Sequence, residues 1–210
     1  MNISILGSSR SGHNFLKDNL ELWTGLKITD VENPESTKQG DIIIICMRDY
    51  LNNVASLSKI RVSHIDKSIK SWIFLVKESF GLSNLIANKY TVFYEKFKNS
   101  ELYRREICNI VKGVYNEDKL KVFPKKGMIS SFYKDEIKEN ETSTDFYKKF
   151  AGKADQLETN IRWKQILENK KDKGYYISKL KEFPEAIELY IKYYTPNEEQ
   201  LQFLKENKII

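Results

Sequence analysis

The chain is poor in cysteine, with two in 210 residues, and in proline, with four. Two thiols cannot make a disulfide framework. Cys46 lies in an apolar run and Cys108 in a stretch of helical spacing, so both read as small buried hydrophobes in a reducing compartment. No apolar run approaches the roughly 18 residues that a membrane span needs, and no basic segment followed by an apolar core opens the sequence. A cytoplasmic protein without membrane contact is the expectation. Dense blocks of basic residues are also missing, leaving only short pairs such as Lys125-Lys126 and Lys170-Lys171. The net charge of +6, from 35 Lys and Arg against 29 Asp and Glu, favours an anionic ligand but does not choose among nucleotide, nucleic acid and acidic glycan. Histidine is scarce too: only His13 and His64 are present.

What is present reads as an ordinary folded protein, with 40% hydrophobic and 12% aromatic residues, long enough for one core and one domain, residues 1–210. Residues 2–6, "NISIL", predict a short buried strand, and 13–23, "HNFLKDNLELW", space Phe15, Leu16, Leu20 and Trp23 as a helix does. The run 41–49, "DIIIICMRD", predicts a strand covered on both faces of a parallel sheet, and the segment after it a helix. A helix over about 62–80 ended by Gly81, a third strand over 89–97 and a helix over about 100–113 follow. This alternation predicts an α/β fold, a parallel β-sheet flanked by helices, with residues 1–115 as the ligand-binding core. Residues 116–210 read as mainly helical and acceptor-side. They hold a polar stretch at 134–145 that suits a lid and two tail helices, about 176–194 and 196–207, the second with Pro196 in its first turn.

The stretch 5–16, "ILGSSRSGHNFL", runs from strand through two glycines five positions apart into an amphipathic helix. Backbone amides between Gly7 and His13 can converge there on an anion, at the positive end of a helix. Arg10 adds a planar, permanent cation, and Ser8, Ser9 and Ser11 add hydroxyls. Where a nucleotide-triphosphatase loop carries lysine and a magnesium-binding hydroxyl, this sequence has His13 and Asn14. Metal-dependent triphosphate chemistry is therefore disfavoured. The run 46–59, "CMRDYLNNVASLSK", places Arg48 at a strand's carboxyl end, where open α/β sheets bind ligands, and Ser56 about two helical turns on. Asp49 reads equally as a helix cap or a structural partner of Arg48.

"GSSRSGHNFL" followed by "IIIICMRDYLNNVASLSK" resembles the two nucleotide-binding signatures of sulfotransferases that use 3′-phosphoadenosine 5′-phosphosulfate (PAPS). "YTVFYEKFKNS", 90–100, is similar to a later strand and helix of that family, and "ISSFY", 129–133, with Arg162, faintly resembles the segment that closes over the adenine and 3′-phosphate. The resemblance, over roughly residues 2–115, implies a P-loop-like sulfotransferase fold. It implies that residues Ser8, Ser9, Arg10, Ser11, Gly12, His13, Asn14 and Phe15 hold the 5′-phosphosulfate, that Arg48 and Ser56 hold the 3′-phosphate, and that Ser131, Phe132 and Arg162 assist. It also implies sulfuryl transfer from PAPS to a hydroxyl or amine of a glycan or small molecule, with no metal required. Three features depart from the family. His13-Asn14 stands in place of Thr-Thr, Tyr50 stands where proline is common, and no R-K-G-x-x-G segment lies near the C-terminus.

Catalysis of this kind is positioning and electrostatics, with Arg10 at the leaving oxygen. The base that takes the acceptor's proton is open among His13, which can instead bind the sulfate, His64 and Glu95. The aromatic stripes at 90–97 and 190–194 read as packing, while Trp163, between Arg162 and Lys164, is a candidate to press on adenine or acceptor. Two other readings stand beside this one. One is another P-loop-type transferase or kinase, against which the missing lysine and hydroxyl weigh. The other is a non-catalytic nucleotide- or nucleic-acid-binding protein that keeps the anion sites and lacks a base, with nucleic acid the weaker ligand. Oligomeric state is not legible.

Overall fold

A computed structural model describes residues 2–31, 42–60, 63–120 and 161–210. Four parallel strands form one sheet in the spatial order β2-β1-β3-β4: β1 (Ile3–Gly7), β2 (Thr29–Val31), β3 (Ile42–Met47) and β4 (Lys89–Phe93). Between and after them run α1 (His13–Thr24), α2 (Tyr50–Ile60), α3 (Ile65–Ser79), α4 (Tyr94–Asn99) and α5 (Glu101–Ile110). A helical C-terminal part follows, made of α6 (Arg162–Gln165), α7 (Lys170–Glu182), α8 (Pro184–Tyr194) and α9 (Glu198–Glu206). The α/β architecture expected from the alternation of strand and helix is present.

Side chains alternate between the two faces of the sheet, as the pleat requires. Ile3, Ile5, Ile44, Cys46 and Val92 pack with Leu16, Leu20 and Trp23 of α1 and Ile107 and Cys108 of α5. Leu6, Ile43, Ile45 and Met47 pack on the other face with Tyr50, Leu51 and Val54 of α2 and Ile69, Trp72 and Val76 of α3. β3 is central and covered on both sides, with residues 43–47 no more than 2% exposed, which accounts for its unbroken apolar run. Both cysteines are buried thiols.

Three expectations about elements are corrected, and one strand had none. Strand β2 was not anticipated: Thr29 and Asp30 are exposed and only Val31 is buried, so no hydrophobic alternation announces it. The third expected strand stops at Phe93, where Tyr94 begins a helix. The single tail helix over 176–194 is two helices, divided where Phe183 leaves helical geometry and Pro184 opens α8. A proline lacks the N–H that an interior helical position must donate, and it fits the first turn of a new helix. Pro196 does not take that place, because Asn197 is the cap of α9, in a reciprocal pair with Gln200. The lid segment at 134–145, with Ser131 and Phe132, lies outside the described residues. Among those described, no helix is long and apolar enough to cross a membrane.

Candidate functional site

The order β2-β1-β3-β4 carries the chain from β1 to one side and from β3 to the other. The carboxyl ends of β1 and β3, paired through Gly7 and Cys46, therefore flank the crevice in which α/β sheets bind ligands. Residues 8–12 leave β1 and turn, with the Ser11 amide donating to the Ser8 carbonyl at 3.0 Å. Arg10 has φ 66° and Gly12 φ 88°, so the loop reverses twice before α1 starts at His13. Gly12 also has no room for a side chain: a Cβ would lie 2.2 Å from the Tyr94 ring. The first turn of α1 contains no acidic residue of its own, so the positive end of that helix favours an anion, whereas Asp49 already occupies the N-terminus of α2.

Arg48 fastens this loop. Its side chain is 3% exposed, and its Nη1 donates to the Arg10 carbonyl at 2.9 Å and to Ser56 Oγ at 3.4 Å. Arg162 Nη1 donates to the same Ser56 Oγ at 2.9 Å. Ser56 in turn donates to the Asn52 carbonyl at 3.0 Å. Two permanent cations therefore meet at one buried hydroxyl, although Arg162 lies 106 positions beyond Ser56 in sequence. Arg48 also lies 5.2 Å from the centre of the Tyr94 ring, and Asn53 Nδ2 holds the Ser9 carbonyl at 3.0 Å. The Ser8 hydroxyl and Asn53 Oδ1 are buried without a hydrogen-bond partner among the described residues.

Behind Arg48 lies a polar knot. Asp49 caps α2 by accepting from the Asn52 amide at 2.8 Å and is held by Tyr190 at 2.6 Å and Gln200 at 3.2 Å. Of the two readings given to Asp49, the cap is what its hydrogen bonds show. Glu95 accepts from the Asp49 amide at 3.0 Å and lies 3.9 Å from Arg48 Nε. Burial first, then the Asp49 carboxylate, push the Glu95 carboxyl up to about 7, with Arg48 opposing. Burial likewise raises Asp49.

His13 is engaged on both nitrogens, with Nδ1 at 3.1 Å from Ser11 Oγ and Nε2 at 3.3 Å from Asp30 Oδ2. Asn14 is exposed on the first turn of α1, and Phe15 packs edge-on against Tyr94 and Phe97. His64 precedes α3 and is exposed; its carbonyl accepts from Ser68, and among the described residues no hydrogen bond or ion pair joins its ring to the loop. Trp163 is 5% exposed and packs against Phe203, so its ring is core rather than a platform for a base. The sequence reading missed Asp30, Asn53 and Tyr94. Tyr94 stands at the end of β4 and Asn53 inside the run 46–59, where neither was given a role, whereas Asp30 belongs to no motif. No family model matches the chain, and no curated protein or solved structure is significantly similar to it.

Proposed function

We propose that the chain is a sulfotransferase that moves a sulfuryl group from PAPS to a hydroxyl or amine acceptor. The observation that carries this reading is the convergence of Arg48 and Arg162 on Ser56, directly beside the loop at the N-terminus of α1. A donor with two separate anionic groups needs two adjoining anion sites. Here one arginine touches both, since the same Nη1 reaches the loop carbonyl and the Ser56 hydroxyl. The buried Ser8 hydroxyl, unpartnered among the described residues, supplies a further donor at the loop.

In this reading the acceptor oxygen or nitrogen attacks sulfur in line, and the bond from sulfur to the bridging oxygen breaks. Its electron pair leaves on adenosine 3′,5′-bisphosphate, next to Arg10 and the loop amides. The acceptor's proton passes to Glu95, whose carboxyl, pushed up to about 7, can accept it at neutral pH. The described contacts of His64 are those of its carbonyl with Ser68, and His13 has both nitrogens engaged, so Glu95 is the base we favour.

The test is nucleotide-dependent thermal stabilisation in a chelator. Adenosine 3′,5′-bisphosphate is expected to raise Tm without magnesium, and ATP to do so weakly. Stabilisation only by ATP with magnesium replaces this reading with a kinase. Stabilisation by the bisphosphate with no release of it from PAPS, for any acceptor tried, makes the protein a binding module.

A further inference from the structure

The contact between His13 and Asp30 joins α1 to the edge strand β2 and has no counterpart in the motifs that suggested the function. Asp30 pairs with Ile5 in the sheet register, which places its carboxylate next to the first turn of α1. The three groups form a chain, from Ser11 Oγ through Nδ1 and Nε2 of His13 to Asp30 Oδ2, at 3.1 and 3.3 Å. Gly7 makes this possible. A Cβ there would lie 2.4 Å from Ser11 Oγ and 2.9 Å from His13 Cβ, so both side chains close over the end of β1 only because that position is bare.

We propose that Asp30 is a positioning residue that makes Ser11 and His13 a proton-gated hydroxyl, in which protonation of the imidazole releases the Ser11 O–H to an anion held in the loop. With Nε2–H donating to Asp30, the neutral ring has Nδ1 as an acceptor, and the Ser11 proton points to it. When the ring is protonated, Nδ1–H becomes the donor and Ser11 Oγ the acceptor. The hydroxyl proton then turns away, toward the loop. Asp30 fixes which ring nitrogen carries the proton of the neutral ring, and an anion that takes the freed O–H favours the protonated ring. Anion and proton therefore bind cooperatively.

The surroundings fit this assignment. The Asp30 carboxyl is held below its usual range, first by the hydrogen bond from His13, against the effect of burial, with the charges of His13 and Lys17 adding to the lowering. Lys17 on α1 is the cation whose charge reaches Asp30. On β3 the Cys46 thiol, which lies 3.6 Å from the Ser11 carbonyl, is pushed up to about 12 by burial and stays neutral. On α4, Tyr94 covers Gly12, and Glu95 stands beyond it toward Arg48. Ser11 and Asp30 thus act on the reaction through the loop anion, and the identity of that anion as the phosphosulfate rests on the sulfotransferase reading.

Inorganic sulfate is the probe, because it remains a dianion across the range in which imidazoles titrate, so any pH dependence belongs to the protein. Sulfate affinity, read from the amide signals of Gly12 and His13 by NMR, is expected to rise roughly fivefold from about pH 8 to about pH 6. The 15N shifts of the free protein are expected to show His13 protonated on Nε2 at the higher pH, with exposed His64 as internal reference. Ser11→Ala keeps the ion pair and removes the hydroxyl. It is expected to abolish most of the pH dependence, whereas a through-space effect of the imidazolium would persist in it. Asp30→Asn, whose amide can donate as well as accept, is expected to release the Nε2–H tautomer in the 15N spectra and with it the pH dependence. A Nδ1–H tautomer, a pH-independent affinity, an unaltered pH profile in Ser11→Ala or no sulfate binding at the loop each overturns the relay. Adenosine 3′,5′-bisphosphate separates the two proposals: if sulfate binds as described and the bisphosphate does not, the relay stands and the sulfotransferase reading falls.

Discussion

At the scale of single residues, the site rests on side chains that no other type replaces. Arg48 spreads its contacts over a loop carbonyl, the Ser56 hydroxyl and the Tyr94 ring, which demands a planar fork rather than a point charge. Arg48→Lys keeps the charge and is expected to lose about tenfold or more in affinity for adenosine 3′,5′-bisphosphate, about 1.4 kcal/mol by calorimetry. Equal affinity would show that the cluster does not hold the nucleotide. Glycines offer a second comparison. At Gly12 a methyl group meets both a positive φ and the Tyr94 ring, whereas at Gly25, with φ 67°, it meets nothing within 4 Å. Gly25→Ala is expected to cost about 1 kcal/mol from backbone strain alone, and Gly12→Ala roughly 2 kcal/mol or more because the ring must also move. Urea denaturation of the two variants decides whether Tyr94 closes the loop in solution.

At the scale of elements, the sequence revealed those whose hydrophobic pattern is complete and concealed those made by tertiary contact. β1, β3, α1 and α2 were legible because burial imposes a period on them, and Gly7, Gly12 and Arg48 were legible because their chemistry is tied to a strand end. Strand β2 was silent because two of its three residues are exposed, and with it the place of Asp30 opposite His13. Pro184 and Pro196 look alike in sequence. Only the cap at Asn197 and the break at Phe183 distinguish their roles. Arg162 could be matched only faintly, since its meeting with Ser56 depends on how α6 packs on α2. The same holds for Tyr190 of α8 and Gln200 of α9, which both reach Asp49 at the start of α2 and so tie the tail helices to the strand end that bears Arg48. Tyr190→Phe leaves the half-buried Asp49 carboxylate short of one donor. A loss of about 1–3 kcal/mol is expected, visible as a lower urea midpoint with an unchanged slope. A change below a few tenths of a kcal/mol would mean that the tail is not anchored there.

At the scale of the whole molecule, two carboxylates, Glu78 buried and Glu95 half-buried, pull stability in opposite directions with pH. Glu78 is opposed by burial, but Lys89, Ser83 and the amides of Leu85 and Ile86 donate to it and bring it from 4.5 to about 2. Its contribution is present above about pH 4.5 and is lost as pH falls through about 2, an effect on the order of 2–3 kcal/mol. Glu95 behaves in reverse. Its carboxyl is raised from 4.5 to about 7, chiefly by burial and then by Asp49, so the folded state holds a proton that the unfolded state has released. Its stability contribution is complete below about pH 4.5 and is lost as pH rises through about 7. With 22% of the side chain open to water, the effect is discounted to on the order of 1–2 kcal/mol. Glu95→Gln keeps an oxygen for the Asp49 amide and removes the titration. Relative to wild type it is expected to be equally stable near pH 4 and more stable near pH 8, and in the sulfotransferase reading it also loses its base and turns over poorly at every pH. The stability difference is measurable without any acceptor, by thermal unfolding of both proteins across that range. A difference that does not change with pH would show that Glu95 is an ordinary ionised surface carboxylate, and the proton acceptor would then have to be sought elsewhere in the crevice.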